Sequence, residues 1–273
     1  MIKRRYDSAE KFKPVLETYL KYGVDTLMAP FGNSPELVRA VKDTEQKMGR
    51  EIIMIDTPIM NVSDSAEARK EAETTIKEAA ARGSKFCLIH HSSCEQLVNK
   101  NLSQIVRLDD YTKMIRDAGM IPGLSAHMPE MIVYSDLNGY DVETYIQIFN
   151  CMGFMMQVEI ETVGSIIQNA KKPVMTIKPM AAGRCSPYVG ITFAYATLRQ
   201  QDMVTVGCMT PDEADEDIEI GLAAIERRLP PLDEGVNRFA YASCLWCVDQ
   251  IRQGGGMAIF CHPHWLANVY HVP

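Results

Sequence analysis

The sequence lacks a long apolar run, a stripe of basic residues and a nucleotide-binding glycine motif. Without a run of about 20 apolar residues, we expect neither a membrane span nor a secretory leader. The net charge is −7 and the basic residues are scattered, so neither nucleic acid nor an anionic membrane is an expected partner. No Gly-x-Gly-x-x-Gly follows the first predicted strand, which disfavours a doubly wound dinucleotide-binding fold.

A disulfide framework is also not indicated, although the chain contains eight cysteines. Five of them lie among apolar residues, namely Cys87, Cys151, Cys208, Cys244 and Cys261. Buried, reduced thiols are therefore expected, and these favour a cytoplasmic protein. The pair Cys244 and Cys247 lies in an apolar helical pattern, which predicts core packing rather than a metal or redox site.

What the sequence does contain is a repeat in which an amphipathic helix precedes an apolar strand. Seven strands are predicted, at residues 24–30, 51–57, 85–91, 121–127, 154–160, 173–178 and 203–207. Helices are predicted near residues 36–48, 66–82 and 109–118, before the second, third and fourth strands. A helix near residues 142–151 is predicted before the fifth strand, and a last helix starts at the N-cap Thr210. Strands this apolar are typical of parallel sheets that are covered on both faces. Residues 1–228 are therefore predicted to form an α/β, parallel TIM-type barrel that lacks the first of its eight strands.

Residues 229–273 begin with Leu229-Pro230-Pro231 and are predicted to be a separate C-terminal fragment. Their pattern indicates a helix over residues 235–253 and a strand over residues 257–263. We expect this fragment to pack outside the barrel or to plug one of its ends, with completion of the ring by its strand as the alternative.

Polar side chains gather where the predicted strands end, and the carboxyl ends of barrel strands are where TIM-barrel sites are built. These residues are Asp56, His90, His91, His127, Glu159 and Lys178. Because side chains alternate along a strand, only one of His90 and His91 is expected to face the barrel mouth. The group predicts a binding site for a small-molecule metabolite and favours an enzyme. No oligomeric state is predicted.

Three chemistries remain open for this mouth. Asp56, Glu159 and the histidines, with His91 and His127 as nitrogen ligands, would suit a divalent metal such as Zn or Mn. Lys178 would act as a base or as a Schiff-base nucleophile if burial lowers its pKa. His90 would act as a proton donor beside a bound cofactor. In the non-catalytic alternative, these groups are paired with one another.

Six short segments, in collinear order, resemble the aldo-keto reductase barrel. They are Ala29–Glu36, Cys87–His90, Gly123–Ser125, Gln157–Glu159, Thr176–Gly183 and Val206–Glu213. The resemblance implies an oxidoreductase that uses NADPH on a small carbonyl or sugar-like metabolite, with His90 as the catalytic histidine. It also implies that Gly183, Arg184 and Thr210 lie at the cofactor phosphates.

The resemblance implies a degenerate active site, because Phe31 stands where the family has its tyrosine and Asp56 where it has its lysine. Asp212 and Glu213 also open the helix that would receive the cofactor phosphate, and acidic side chains repel phosphate there. The alternatives are a metal-dependent lyase, isomerase or hydrolase, and a ligand-binding barrel without catalysis.

The C-terminal fragment resembles a different family. Residues 254–263, Gly-Gly-Gly-Met-Ala-Ile-Phe-Cys-His-Pro, are similar to the Gly-Gly and His-Pro segment of PHP-type metal-dependent phosphoesterases. This resemblance implies that His262 is a metal ligand. The alternative is that residues 257–261 form a buried strand and that His262 and Pro263 form a turn.

Overall fold

A computed structural model describes residues 8–228 and residue 230. The strands of this part are β1 Thr26–Ala29, β2 Ile53–Asp56, β3 Phe86–Ile89, β4 Val98–Asn99, β5 Gln104–Ile105, β6 Ile121–Ala126, β7 Tyr145–Ile148, β8 Val174–Ile177 and β9 Met203–Thr205. The helices are α1 Ala9–Lys21, α2 Pro35–Met48, α3 Ala66–Arg82, α4 His91–Cys94, α5 Leu108–Asp117, α6 Glu130–Asn138, α7 Ile160–Asn169, α8 Pro187–Thr197 and α9 Pro211–Glu226.

Seven strands form one parallel sheet in the order β1-β2-β3-β6-β7-β8-β9, which curls into a nearly closed barrel. Strands β4 and β5 form a separate antiparallel hairpin. The predicted α/β, parallel TIM-type fold is confirmed. None of the described helices has the length and apolar character needed to cross a membrane.

The chain divides into two compact units, residues 1–229 and 230–273, and the barrel belongs to the first. The predicted helix and strand of the C-terminal fragment lie outside the described residues, as does His262.

The helices begin and end where local chemistry favours it. The hydroxyls of Ser34, Ser65, Ser186 and Thr210 each accept a hydrogen bond from the backbone N–H three residues on, which satisfies a donor that the first helical turn leaves free. Proline follows three of these caps as the first helical residue, where its missing N–H costs nothing. These start positions, together with left-handed glycines at the ends of α2 and α3, explain why several helix bounds could be predicted closely.

The prediction for the fifth strand was wrong. The strand is β7, Tyr145–Ile148, where a helix was expected, and residues 154–159 form a turn that leads into α7. Asn150 explains the difference, since its side-chain oxygen accepts from the N–H groups of Met152 and Phe154 while its amide donates to the Phe154 carbonyl. The loop satisfies its backbone through this amide rather than through a strand ladder.

Apolar residues fill two layers, one inside the barrel and one between the strands and the helices. Ile55, Leu88, Ile146 and Met175 form the inner cluster. The larger cluster lies under the helices and includes Tyr145, whose hydroxyl donates to Asp136 of α6. Because side chains alternate along each strand, Asp56 points away from the interior that Ile55 faces.

Candidate functional site

Three imidazole rings meet at the carboxyl ends of β3 and β6. The ring centroids of His91 and His127 lie 3.7 Å apart and the rings are nearly parallel, with an interplanar angle of 17°. The ring of His90 lies 4.2 Å from that of His91, tilted by 44°. Both His90 and His91 therefore belong to the cluster. The expected alternation does not apply, because His91 is already the first residue of α4 rather than a strand residue.

Short polar contacts hold this cluster in place. His90 Nδ1 lies 2.8 Å from the Ser92 hydroxyl and also accepts from the Ser92 backbone N–H. The Glu95 carboxylate accepts from the backbone N–H groups of His127 and Met128. Glu95 therefore fixes the start of the loop after β6, and both of these bonds are made by the same carboxylate oxygen.

The environment lowers the pKa of two of these imidazoles, those of His90 and His127, and so favours their neutral forms. Burial, followed by the charges of His91 and Lys178, lowers the pKa of His127 to about 4. The pKa of His90 is lowered mainly by burial and also by His91, while Glu95 opposes the shift. Burial lowers the pKa of Lys178 as well, which increases the fraction of free amine. The mouth therefore combines the neutral imidazoles of His90 and His127 with an amine that deprotonates more readily than an exposed lysine.

Lys178 sits in an unusual backbone conformation. Its φ is +60°, and Ala181 and Ala182 in the same turn have φ of +51° and +56°. Residues with side chains rarely adopt this left-handed region, so the packing around the turn must hold it there. Gly190 of α8 provides part of that packing, since a Cβ at this position would lie 2.5 Å from the Pro179 carbonyl oxygen. Strain of this kind is frequent at functional sites.

The predicted carboxylate ligands do not join the histidines in a metal-binding group. Asp56 is 1 % exposed and its carboxylate accepts from the Arg82 guanidinium of α3 at 3.0 Å, on the helix side of the barrel. Glu159 directly precedes α7, and its side chain makes no capping hydrogen bond. Within residues 8–228, no group of three or more His, Cys, Asp or Glu side chains is arranged to hold a metal ion. Asp56 and the histidines are thus not brought together as one ligand set.

The predicted phosphate site is occupied by the protein's own side chains. At the start of α9, the Thr210 hydroxyl accepts from Glu213 N–H, and the Glu213 carboxylate accepts from Met209 N–H. The Arg184 guanidinium lies over the Phe154 ring, 4.0 Å from its centroid, and donates to the Ala181 carbonyl. Since a carboxylate already takes the N–H that a phosphate would need, this helix end does not fit a nucleotide phosphate.

Sequence reasoning missed Ser92, Glu95 and Gly190. Ser92 and Glu95 stand three residues apart directly after the histidines, which is the spacing of a capping pair and a usable signal. Gly190 carries no such signal, because its role depends on the close approach of α8 to the turn after β8.

No family model matches the sequence, and no curated protein is similar to it in sequence. Among solved structures, one described as an aldo-keto reductase from Pseudomonas aeruginosa matches with a TM-score of 0.57 and 12% identity, over 80% of this chain and 84% of that one. The Rubisco of Pyrococcus horikoshii OT3 matches with a TM-score of 0.51 and 13% identity, over 92% of this chain and 61% of that one. The Amycolatopsis orientalis BexX/CysO complex matches with a TM-score of 0.51 and 13% identity, over 84% and 91% of the two chains.

This chain is similar in fold to these barrels. At such low identities the likeness concerns architecture alone. It agrees with the fold that the collinear segments implied, and the activities of these proteins do not carry over with it.

Proposed function

We propose that the barrel mouth binds a small anionic carbonyl compound, such as a 2-oxo acid, and that Lys178 and the imidazoles act on its carbonyl group. The observation that carries this proposal is the position of a lysine of lowered pKa beside neutral imidazoles at the carboxyl end of a TIM-type barrel. Imidazole N–H groups at the mouth would donate to the anionic part of the ligand.

The chemistry that suits these groups is imine formation. The free amine of Lys178 adds to the carbonyl carbon. The two protons of the amine are transferred to the carbonyl oxygen, which leaves as water when the C=N bond forms. His90 is the group that would relay protons between nitrogen and oxygen, since a neutral imidazole can both accept and donate. Burial of Lys178 favours the step, because only the unprotonated amine is nucleophilic.

Carbonyl reduction with NADPH is the second candidate. Its support is the collinear resemblance to aldo-keto reductases and the place of His90 at the end of β3. The acidic capping at Thr210 and Glu213 opposes it, since the cofactor phosphates would meet a carboxylate.

Reductive trapping tests the first candidate on the full-length chain. We expect pyruvate and cyanoborohydride at neutral pH to label Lys178, as shown by intact mass and by mapping of the modified peptide. The Lys178→Arg variant should be labelled at least about tenfold less than the wild type, because the guanidinium does not deprotonate. Lys172→Arg is the matched control, since Lys172 pairs with Glu143 outside the cluster and should not matter.

Labelling spread evenly over the surface lysines would refute the proposal. Oxidation of NADPH in the presence of a small aldehyde, without any lysine adduct, would favour the reductase candidate instead.

A further inference from the structure

An apolar slot, which we call the seam, lies between the two outer strands of the barrel, β1 and β9. Within residues 8–228, β1 pairs only with β2, and β9 pairs only with β8. Ile53 N–H donates to the Asp25 carbonyl and Thr57 N–H to the Ala29 carbonyl, so the backbone groups of the alternate residues Thr26 and Met28 point into the seam. Parallel barrels of this class close with eight strands, and the ring formed by the described residues has seven.

The seam is a cavity of about 630 Å³ with mostly apolar walls. Helices α1 and α9 form its outer side, and Ile55 and Met175 of the inner cluster form its floor. Large apolar side chains remain exposed at its rim, including Tyr22, Val24, Met203 and Ile225. An apolar opening of this kind, reaching into a core, is typical of a surface that binds a partner.

The described walls of the seam carry acidic charge and no basic residue. Asp217 of α9 is 8 % exposed, and its carboxylate contacts the Cys208 thiol at 3.3 Å. Burial, together with the charges of Glu216 and Glu213, raises the pKa of Asp217 to about 6. The seam is therefore complementary to an occupant that carries a positive group.

We propose that the seam accepts an extended, apolar peptide with a basic side chain, which binds as an eighth strand between β1 and β9. A peptide backbone is the ligand that satisfies two facing strand edges at once. The peptide must be apolar on both faces, because one face meets Ile55 and Met175 and the other meets α1 and α9. Its basic side chain meets the carboxylate of Asp217.

The test uses the full-length chain and a labelled synthetic peptide, Lys-Thr-Val-Ile-Val-Leu-Lys. We expect saturable binding by fluorescence anisotropy, with hydrogen-exchange protection of the Met28 amide. A peptide of the same sequence with alternate backbone nitrogens methylated should bind at least about tenfold more weakly, because it cannot complete the ladder. Replacing both lysines by glutamate should weaken binding by a similar factor.

Asp217→Asn is the matched protein variant, since it keeps the shape of the side chain. It should reduce the preference for the lysine peptide over the glutamate peptide at least about threefold while leaving the effect of methylation unchanged.

Three outcomes would overturn the proposal. The first is equal binding of the methylated and unmethylated peptides, which indicates apolar adsorption. The second is no saturable binding. The third is a Met28 amide that is already protected in the free full-length chain, which would show that the chain itself or a second copy fills the seam.

Discussion

Burial of His127 beside His91 gives His127 a measurable effect on stability. Its pKa is about 4 in the folded protein, against an ordinary value near 6.5. As the pH falls below 6.5, the unfolded chain takes up a proton that the folded chain does not, so His127 destabilises the fold progressively between pH 6.5 and about 4. The charged and titratable groups that shift this pKa are His90, His91 and Lys178, and Glu95 holds the adjacent backbone.

We therefore expect His127→Gln to lose less stability than the wild type on acidification from about pH 7 to about pH 5. Urea unfolding at both pH values, compared within each protein, measures the difference. A variant whose free energy of unfolding falls as steeply as that of the wild type would contradict the assigned pKa.

Asp56 shows how a strand-end residue can mislead. The sequence places it at a strand end, as it places His90, yet its side chain is bonded to Arg82 on the helix side. The direction of the Asp56 side chain follows from the alternation along β2. Ile55 belongs to the inner cluster, so Asp56 faces the helices.

At the scale of elements, the packing of α8 against the turn that carries Lys178 can be tested by a pair of glycine substitutions. Gly190→Ala places a methyl group 2.5 Å from the Pro179 carbonyl, so either the helix or the turn must move. We expect a loss of about 1–3 kcal/mol in the free energy of unfolding and a loss of Lys178 labelling.

Gly164→Ala is the control on a neighbouring helix. There the added methyl group meets only Phe149 at an ordinary 3.7 Å, so the higher helix propensity of alanine should leave stability unchanged or raised by up to about 1 kcal/mol. Equal destabilisation by the two substitutions, measured by denaturant unfolding, would remove the special role assigned to Gly190.

The elements that could be predicted from sequence are those whose signals are local. The pattern predicts α3 at residues 66–82, as observed, because Ser65 and Gly83 mark its ends. The prediction for the region between β6 and α7 was wrong because two apolar runs follow one another there. Only the hydrogen bonds of the Asn150 amide show which of the two runs is a loop. The three-histidine cluster depends on the pairing of β3 with β6, which are separated by the β4–β5 hairpin, so its stacking was not predictable from spacing.

At the scale of the described barrel, the ladder is continuous from β1 through to β9 and open only at the seam. The inner cluster is small, with four buried members, and two of them, Ile55 and Met175, also line the seam. The packing of the barrel interior is therefore coupled to whatever occupies that opening, whereas the histidine cluster is positioned by β3 and β6 in the middle of the sheet.

The seam also affects the volume change on unfolding. Apolar walls hold water poorly, so the part of the seam that lies against Ile55 and Met175 leaves void volume that unfolding removes. Hydrostatic pressure favours the state of smaller volume, so this barrel should unfold with a volume change toward the large end of the ordinary range, about −100 mL/mol. High-pressure spectroscopy at constant temperature measures that quantity, and a value near −20 mL/mol would mean that the interior is as densely filled as in a closed ring.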